Sequence, residues 1–375
     1  MVKKPIRVLH VIGIMNRGGA ENMIMNLYRN IDRERIQFDF VENSFESGAF
    51  DVEIRSLGGK IFRCPHFNGK NYFEYKKWWI DFWNKYHYEY KIVHGHIGST
   101  ASIYLGEAKK HGIVTIAHSH NTNQKKSMRQ ILYSILTYRT RYIADYFFAC
   151  SNQAGIDRFG KKVADSLNTN YFVFRNAIDT SRFVFNDAMR QRIRNELQAN
   201  EDVYILGHVG RFMEQKNHLF LLDIFKCFHE LNPNSVLVLV GDGPLKEIIQ
   251  NRIETLDLID SVRILGVRPD VGDIMMGMDM LVFPSKYEGL PVTLVEAQTT
   301  GLPCVISDYV PDECILAEDL VTIRKLSDSP KIWADHIMSR LKEKRTDHQQ
   351  IIIDKGFDVN ATSKWLEEFY LEKGN

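Results

Sequence analysis

Short apolar runs separated by longer amphipathic stretches recur along the whole chain. In the first half, Ile6–Ile12 reads as a strand. Ala20–Asn30 reads as a helix, because Met23, Ile24 and Leu27 fall on one face at three- and four-residue spacing. Further strands are predicted at Ile92–Val93, Ile113–Ala117, Tyr146–Cys150 and Tyr171–Phe174, with helical stretches between them. The second half repeats the pattern at Tyr204–Val209, Val236–Val240, Val262–Leu265, Met280–Phe283, Cys304–Ile306 and Leu320–Ile323. After the first of these, Leu221, Ile224, Phe225, Phe228 and Leu231 recur at helical spacing. Strands that alternate with helices make parallel sheets covered on both faces. The expected fold class is therefore α/β, with two facing Rossmann-like, doubly wound domains and an interdomain cleft. Ligands would bind at the carboxyl ends of the strands. The boundary is expected within Asn176–Val203, where the polar helical stretch Asp187–Ala199 joins the halves. That gives domains at 1–180 and 181–355, followed by a helical segment at 356–375. The last helix, Thr362–Glu372, carries Trp365, Leu366, Phe369 and Tyr370 and is expected to pack back on the first domain.

Composition changes this picture little. The 375 residues are 44% hydrophobic and 25% charged, ordinary for a globular protein of two domains. Five widely spaced cysteines without a C-x-x-C pair disfavour a disulfide framework or structural zinc and fit a reducing cytosol. The opening MVKKPIRVLHVIGIM is interrupted by Arg7 and His10, so it reads as a strand and not as a signal peptide. No apolar run approaches the ~20 residues that span a bilayer. Charge is uneven: residues 1–180 carry 26 Lys and Arg against 16 Asp and Glu, and residues 181–375 carry 22 against 31. The basic half could favour an anionic partner, or the imbalance could be solvation alone. The sequence pI of about 7.7 and the lack of a recognised module exclude a nucleic-acid partner.

The most informative chemistry lies in Pro284–Gly301, PSKYEGLPVTLVEAQTTG. Glu288 lies in the turn that leads into a predicted helix, Pro291 suits its first position, Glu296 sits more than a turn inside, and Gly301 closes it. A helix start offers free N–H groups and the positive end of a dipole, so it holds phosphate. The inner glutamate can bond both hydroxyls of a ribose, and the outer one can reach a sugar beyond the phosphates. Gly210–Asn217, GRFMEQKN, follows a strand and precedes a helix that Asn217 could cap. Arg211 and Lys216 there can neutralise a diphosphate and stabilise it as a leaving group. Gly266-Val267-Arg268 also follows a strand, and its backbone could read a base. In Gly241–Leu245, GDGPL, the glycines either let backbone approach a ligand or make a turn.

His94-Gly95-His96 and His118-Ser119-His120 each put two imidazoles on one face of an extended segment. That is metal-ligand spacing, but a structural hydrogen bond is the ordinary role of such a histidine. His118 follows a predicted strand and faces the expected cleft. There is no D-x-D triplet to hold a divalent cation on a diphosphate, so no metal and no other cofactor is expected. Gly13, Gly18 and Gly19 do not form G-x-G-x-x-G, which disfavours a dehydrogenase. Lys76, Lys77, Trp78, Trp79 and Trp83 cluster, and Lys125, Lys126, Arg129, Arg139 and Arg141 flank an apolar run of Ile131, Leu132, Ile135 and Leu136. These suit either an anionic membrane surface or a core-facing helix with a solvated rim.

Taken in order, RGGAE (Arg17–Glu21), HGH (His94–His96), AHSHN (Ala117–Asn121), GRFMEQKN, VGDGPL, LGVR and EGLPVTLVEA cover nearly the whole chain. In these motifs the chain resembles the family 4 glycosyltransferases of GT-B fold, the retaining group that includes bacterial exopolysaccharide and capsule enzymes. The resemblance implies that Arg211 and Lys216 hold the donor diphosphate and that Glu296 bonds the ribose. It implies that Glu288 meets the transferred sugar, with Gly289 and Leu290 beside it. His118 would lie near the reacting carbon. Gly18, Gly19, Gly210, Gly243, Val267 and Arg268 would complete the donor site. The expected activity is metal-independent, retaining transfer of a hexosyl or N-acetylhexosaminyl group. The donor would be a nucleotide-sugar, UDP-linked by preference, and the acceptor a saccharide or lipid-diphosphate-linked saccharide. The expected location is the cytoplasm, with peripheral contact at the inner face of the membrane. The alternatives are a sugar-nucleotide epimerase, which an assay with donor alone would reveal, and a non-catalytic nucleotide-binding partner of another glycosyltransferase.

Overall fold

Alternation along each strand decides how the sheets are covered. In β1 (Ile6–Ile12), Val8 and Ile12 pack into one buried cluster, and Leu9 and Val11 into another on the opposite face. The protein, described from a computed structural model, is defined for residues 4–120, 137–165, 167–341 and 345–374. It divides into two compact units, Met1–Ala177 with Val359–Asn375, and Ile178–Asp358.

The first unit holds seven parallel strands: β1, β2 (Ile36–Glu42), β3 (Ile61–Arg63), β4 (Tyr90–Gly95), β5 (Val114–Ser119), β6 (Tyr146–Ala149) and β7 (Tyr171–Val173). Their order is β3-β2-β1-β4-β5-β6-β7. The second holds β8 (Tyr204–Val209), β9 (Ser235–Val240), β10 (Val262–Gly266), β11 (Met280–Phe283), β12 (Cys304–Ser307) and β13 (Val321–Arg324), in the order β10-β9-β8-β11-β12-β13. Each is the doubly wound arrangement expected from the sequence. In each sheet the order reverses once, between β1 and β4 and between β8 and β11. The crossovers leave in opposite directions there, so the carboxyl ends of those strands open a crevice for ligands.

β2 and β3 are absent from the sequence reading. In β2, IQFDFVE, every position is buried, the charged ones included. Asp39 is satisfied by Arg7, whose Nε donates to it at 2.6 Å, and by the Tyr90 hydroxyl at 2.8 Å. Glu42 accepts from the Met15 N–H at 2.7 Å. A fully buried strand with paired acids shows no period-two pattern.

The helix Asp187–Glu196 does not bridge the halves but belongs to the second unit. Its buried Arg194 donates to the Gly277 carbonyl and Asp279, and Arg190 donates to Asp279 at 2.6 Å. The C-terminal helix, Val359–Gly374, returns to the first unit and buries Leu366, Phe369 and Tyr370 against the face that carries Val8 and Ile12.

The membrane-facing reading of the tryptophan cluster is corrected here. Trp79 and Trp83, on the helix Tyr72–Tyr86, are fully buried among Tyr75, Tyr90 and Tyr104. Lys76 pairs with Glu107 and Lys77 with Asp81. Helical spacing turned the indoles inward and left the lysines at the rim. Lys125, Lys126, Arg129, Ile131, Leu132, Ile135 and Leu136 lie outside the described residues.

Candidate functional site

In the second unit the switch point is built from the loops after β8 and β11. Polar contacts join the two loops. The Lys286 N–H donates to the Gln215 carbonyl at 2.8 Å, and Gln215 Nε2 donates to the Tyr287 carbonyl at 2.9 Å. The Asn217 side-chain amide donates to the Pro284 carbonyl at 3.1 Å. Asn217 therefore does not cap the helix His218–Leu231 with its side chain. It takes a left-handed conformation, φ 58°, which asparagine tolerates.

This stapling brings two of the predicted residues into contact. Lys216 Nζ lies 2.7 Å from Glu288 Oε1, with Gln215 Nε2 3.2 Å from the other carboxylate oxygen. Glu288 is buried, and the lysine ammonium also lies 4.6 Å from the Phe283 ring centroid. A cation and a carboxylate held together in this way offset part of the cost of burying each other. Arg211 differs. It is exposed and makes no ion pair among the described residues, so its guanidinium is available to an anion.

The helix Val292–Thr299 follows. Its N-cap is Pro291, so the helix begins one position later than expected, and among the described residues no side chain caps it. The N–H groups of its first turn therefore lack side-chain acceptors. Gly301 closes it at φ 65°, as the sequence predicts. Leu290 is buried at the entry, beside Gly289. Glu296, on the first turns, is only partly buried as a residue, yet its carboxyl is pushed up to about 7 by desolvation, with Arg182 opposing. It accepts no hydrogen bond from the described residues. A carboxyl in this state has acceptor capacity to spare and gains from a partner that donates to it.

The loops after β9 and β10 support the first two. A Cβ on Gly241 would lie 2.1 Å from the Gly210 carbonyl oxygen, and one on Gly243 would lie 2.5 Å from that of Phe212. Gly241 and Gly243 are thus glycines where two loops touch. A Cβ on Gly210 would crowd Lys216, 3.2 Å away. Val267 is exposed. The Arg268 guanidinium is not a free cation, because it grips Asp270 through two bonds of 2.8 and 2.7 Å and Glu196 at 2.7 Å. Only its backbone remains for a ligand.

In the first unit, Gly18 is the N-cap of the helix Gly19–Asn30. A Cβ there would meet the Glu21 carboxylate at 2.2 Å, whereas Gly19 faces open space. The same unit holds a cluster of five histidines. His10 lies on β1, His94 on β4 with His96 just past its end, and His118 on β5 with His120 just past its end, and their rings are in contact. The sequence reading missed His10, whose partners are 84 or more residues away. Burial pushes all five imidazoles below the ordinary range, His10 to about 3 and His120 to about 4. His118 itself is buried, and its Nε2 has no partner among the described residues. Two triplets, His10, His94, His96 and His96, His118, His120, have nitrogens within 4.8 Å of one another. An all-imidazole set of that kind suits a zinc-like ion and not magnesium.

Residues 17–182 match the family model "Glycosyltransferase Family 4", and residues 189–356 match "Glycosyl transferases group 1". The chain is 35% identical over 373 residues to the putative glycosyltransferase EpsF of Bacillus subtilis strain 168, covering 97% of this chain and 96% of that one. It is 27% identical over 242 residues to an Escherichia coli UDP-Gal:alpha-D-GlcNAc-diphosphoundecaprenol alpha-1,3-galactosyltransferase, covering 62% and 61% of the two chains. Among solved structures it superposes on Anabaena Alr3699/HepE in complex with UDP with a TM-score of 0.78 at 17% identity, covering 98% of this chain and all of that one. The likeness in structure extends to the fold alone, which is GT-B.

Proposed function

The chain belongs to the family 4 glycosyltransferases, and from that premise we propose that it transfers a hexosyl or N-acetylhexosaminyl group from a UDP-sugar to a lipid-diphosphate-linked saccharide, with retention at the anomeric carbon. The observation that carries the reading is the stapled pair Lys216–Glu288, with an exposed Arg211 on the same loop as Lys216 and a helix bearing Glu296 that no side chain caps among the described residues. These groups supply, in one unit, what a nucleotide-sugar needs along its length. Glu296 accepts from the ribose hydroxyls. Arg211, Lys216 and the helix start neutralise the diphosphate. Glu288, held in place by Lys216 and Gln215, accepts from hydroxyls of the transferred sugar. The UDP-linked donor and the diphosphoundecaprenol acceptor named for the Escherichia coli relative, and the UDP bound by the Anabaena structure, support these substrate classes.

The proposed course balances without a strong protein base. The bond between the anomeric carbon and the diphosphate oxygen breaks, and its electrons remain on the phosphate, stabilised by Arg211 and Lys216. The acceptor oxygen bonds to the same face of the oxocarbenium-like sugar, and its proton passes to the departing phosphate oxygen. Catalysis is then mostly positioning and charge stabilisation. No metal takes part. Among the described residues no helix is long and apolar enough to cross a membrane. Contact with the inner leaflet would be peripheral, through basic residues such as Arg139 and Arg141 with the exposed Tyr138 and Tyr142.

A thermal-shift panel of nucleotides and nucleotide-sugars tests the donor assignment, since a ligand that binds the folded state raises the melting temperature. UDP and UDP-hexoses should give the largest shifts. A larger shift with GDP or GDP-mannose would overturn the uridine assignment.

A further inference from the structure

The five histidines of the first unit form two hydrogen-bonded files. In one, His10 Nδ1 lies 3.0 Å from His96 Nε2, and His96 Nδ1 lies 2.8 Å from His120 Nε2. In the other, the Tyr370 hydroxyl lies 2.6 Å from His94 Nδ1, and His94 Nε2 lies 3.1 Å from His118 Nδ1. The files differ at their ends. Both ends of the first are nitrogens without a partner among the described residues, His10 Nε2 and His120 Nδ1, so either direction of donation satisfies it equally. The second begins at a phenol.

Tyr370 is fully buried on the C-terminal helix, and burial holds it in the neutral phenol form. Among the described residues its hydroxyl has no partner but His94. A buried O–H without another acceptor must donate to that nitrogen or go unsatisfied. If Tyr370 donates to His94 Nδ1, the neutral His94 ring carries its proton on Nε2 and donates to His118 Nδ1. His118 then carries its own proton on Nε2, the buried nitrogen with no partner among the described residues. A metal ion would need lone pairs of three rings to converge. Here His94 and His96 each spend both nitrogens along a file.

We propose that Tyr370 is a positioning residue that acts through His94 to fix His118 as its Nε2–H tautomer, so that this ring meets an oxygen of the substrate as a neutral hydrogen-bond donor and not as a base. The inference rests on the proposed transferase function and on the family resemblance, which implies that His118 lies near the reacting carbon. It adds a direction to that role and assigns a function to a residue more than 250 positions further along the chain.

The test is long-range proton–nitrogen NMR on the full chain labelled with 15N-histidine, without substrate, with His94→Gln and His118→Gln used for assignment. The expected result is that His94 and His118 each show an unprotonated Nδ1 and a protonated Nε2 from pH 6 to 8. A Nδ1-protonated His118, or imidazole nitrogens shifted by stoichiometric zinc in the purified protein, overturns the proposal. In Tyr370→Phe, which keeps the ring, His118 should become a mixture of tautomers. The turnover number should fall roughly 10-fold, on the scale of losing an outer hydrogen-bond partner, with donor KM within about 2-fold. An unchanged tautomer in Tyr370→Phe would also overturn it. If that variant fails to fold, the wild-type spectrum still decides. Because the tautomer is read without substrate, the predicted spectrum in a protein with no transferase activity would refute the functional reading alone. The opposite tautomer in an active enzyme would refute this inference alone.

Discussion

On the proposed reading, Glu296 links stability to donor binding in opposite directions. Its carboxyl is raised from an ordinary 4.5 to about 7, chiefly by desolvation, with Arg182 acting the other way. A carboxyl raised on folding is ionised more readily in the unfolded chain, so it destabilises the fold increasingly as pH rises above the unfolded value. The effect is complete above about 7. At ~1.4 kcal/mol per pH unit it has a ceiling of about 3 kcal/mol at pH 8, and falls below ~1 kcal/mol by pH 5. Partial solvent contact of the residue reduces the ceiling, so Glu296→Gln should stabilise the ligand-free protein by ~1–3 kcal/mol at pH 8. In a unit of this size that is several degrees of melting temperature. The same change replaces a charged acceptor by a neutral one. That should weaken UDP binding about 10-fold, the difference between charged and neutral hydrogen bonds. Differential scanning fluorimetry at pH 5 and pH 8, with and without UDP, measures both effects. A variant that melts lower than wild type at pH 8 without ligand, or keeps the full UDP-induced shift, would refute the reasoning.

Arg211→Ala and Lys216→Ala should each cut turnover about 10²-fold, on the scale of losing one transition-state donor. They should differ in stability. Arg211 is exposed and unpaired among the described residues, so its loss should change stability by less than ~0.5 kcal/mol. Lys216→Ala leaves Glu288 buried with only part of its compensation and should cost about 2 kcal/mol in urea unfolding. Wild-type-like turnover in both variants would remove them from the mechanism. Activity should survive chelator, and a loss restored by magnesium or manganese would contradict the metal-free course. The protein should float with anionic liposomes at low salt and release at high salt, as polybasic contact does; no flotation at low salt would count against membrane contact.

The doubly wound topology was legible because most strands are apolar runs spaced by amphipathic helices. β2 was not, because its acids Asp39 and Glu42 are buried and paired with residues distant in sequence. In the second unit, Arg211, Lys216, Glu288 and Glu296 were recognisable from their places after strands and around a helix start. Their pairing was not, since nothing local requires Lys216 to meet Glu288 across 72 residues. The tryptophans misled for the opposite reason. Composition suggested a surface, while the spacing of Trp79 and Trp83 on one helix face turned them into the core. The histidine files needed the fold outright, because His10, His94, His118 and Tyr370 come from three strands and the last helix. Sequence spacing could show only the pairs His94 with His96 and His118 with His120.

The central claim is retaining transfer from a UDP-sugar, and the stereochemistry of the product tests it most directly. The purified protein, in the presence of chelator, would be given a UDP-α-hexose and a lipid-diphosphate-linked saccharide, and the anomeric proton of the product read by NMR. The account predicts an α-linked product that requires the acceptor. A β-linked product, or conversion of the donor to another UDP-sugar without acceptor, would contradict it.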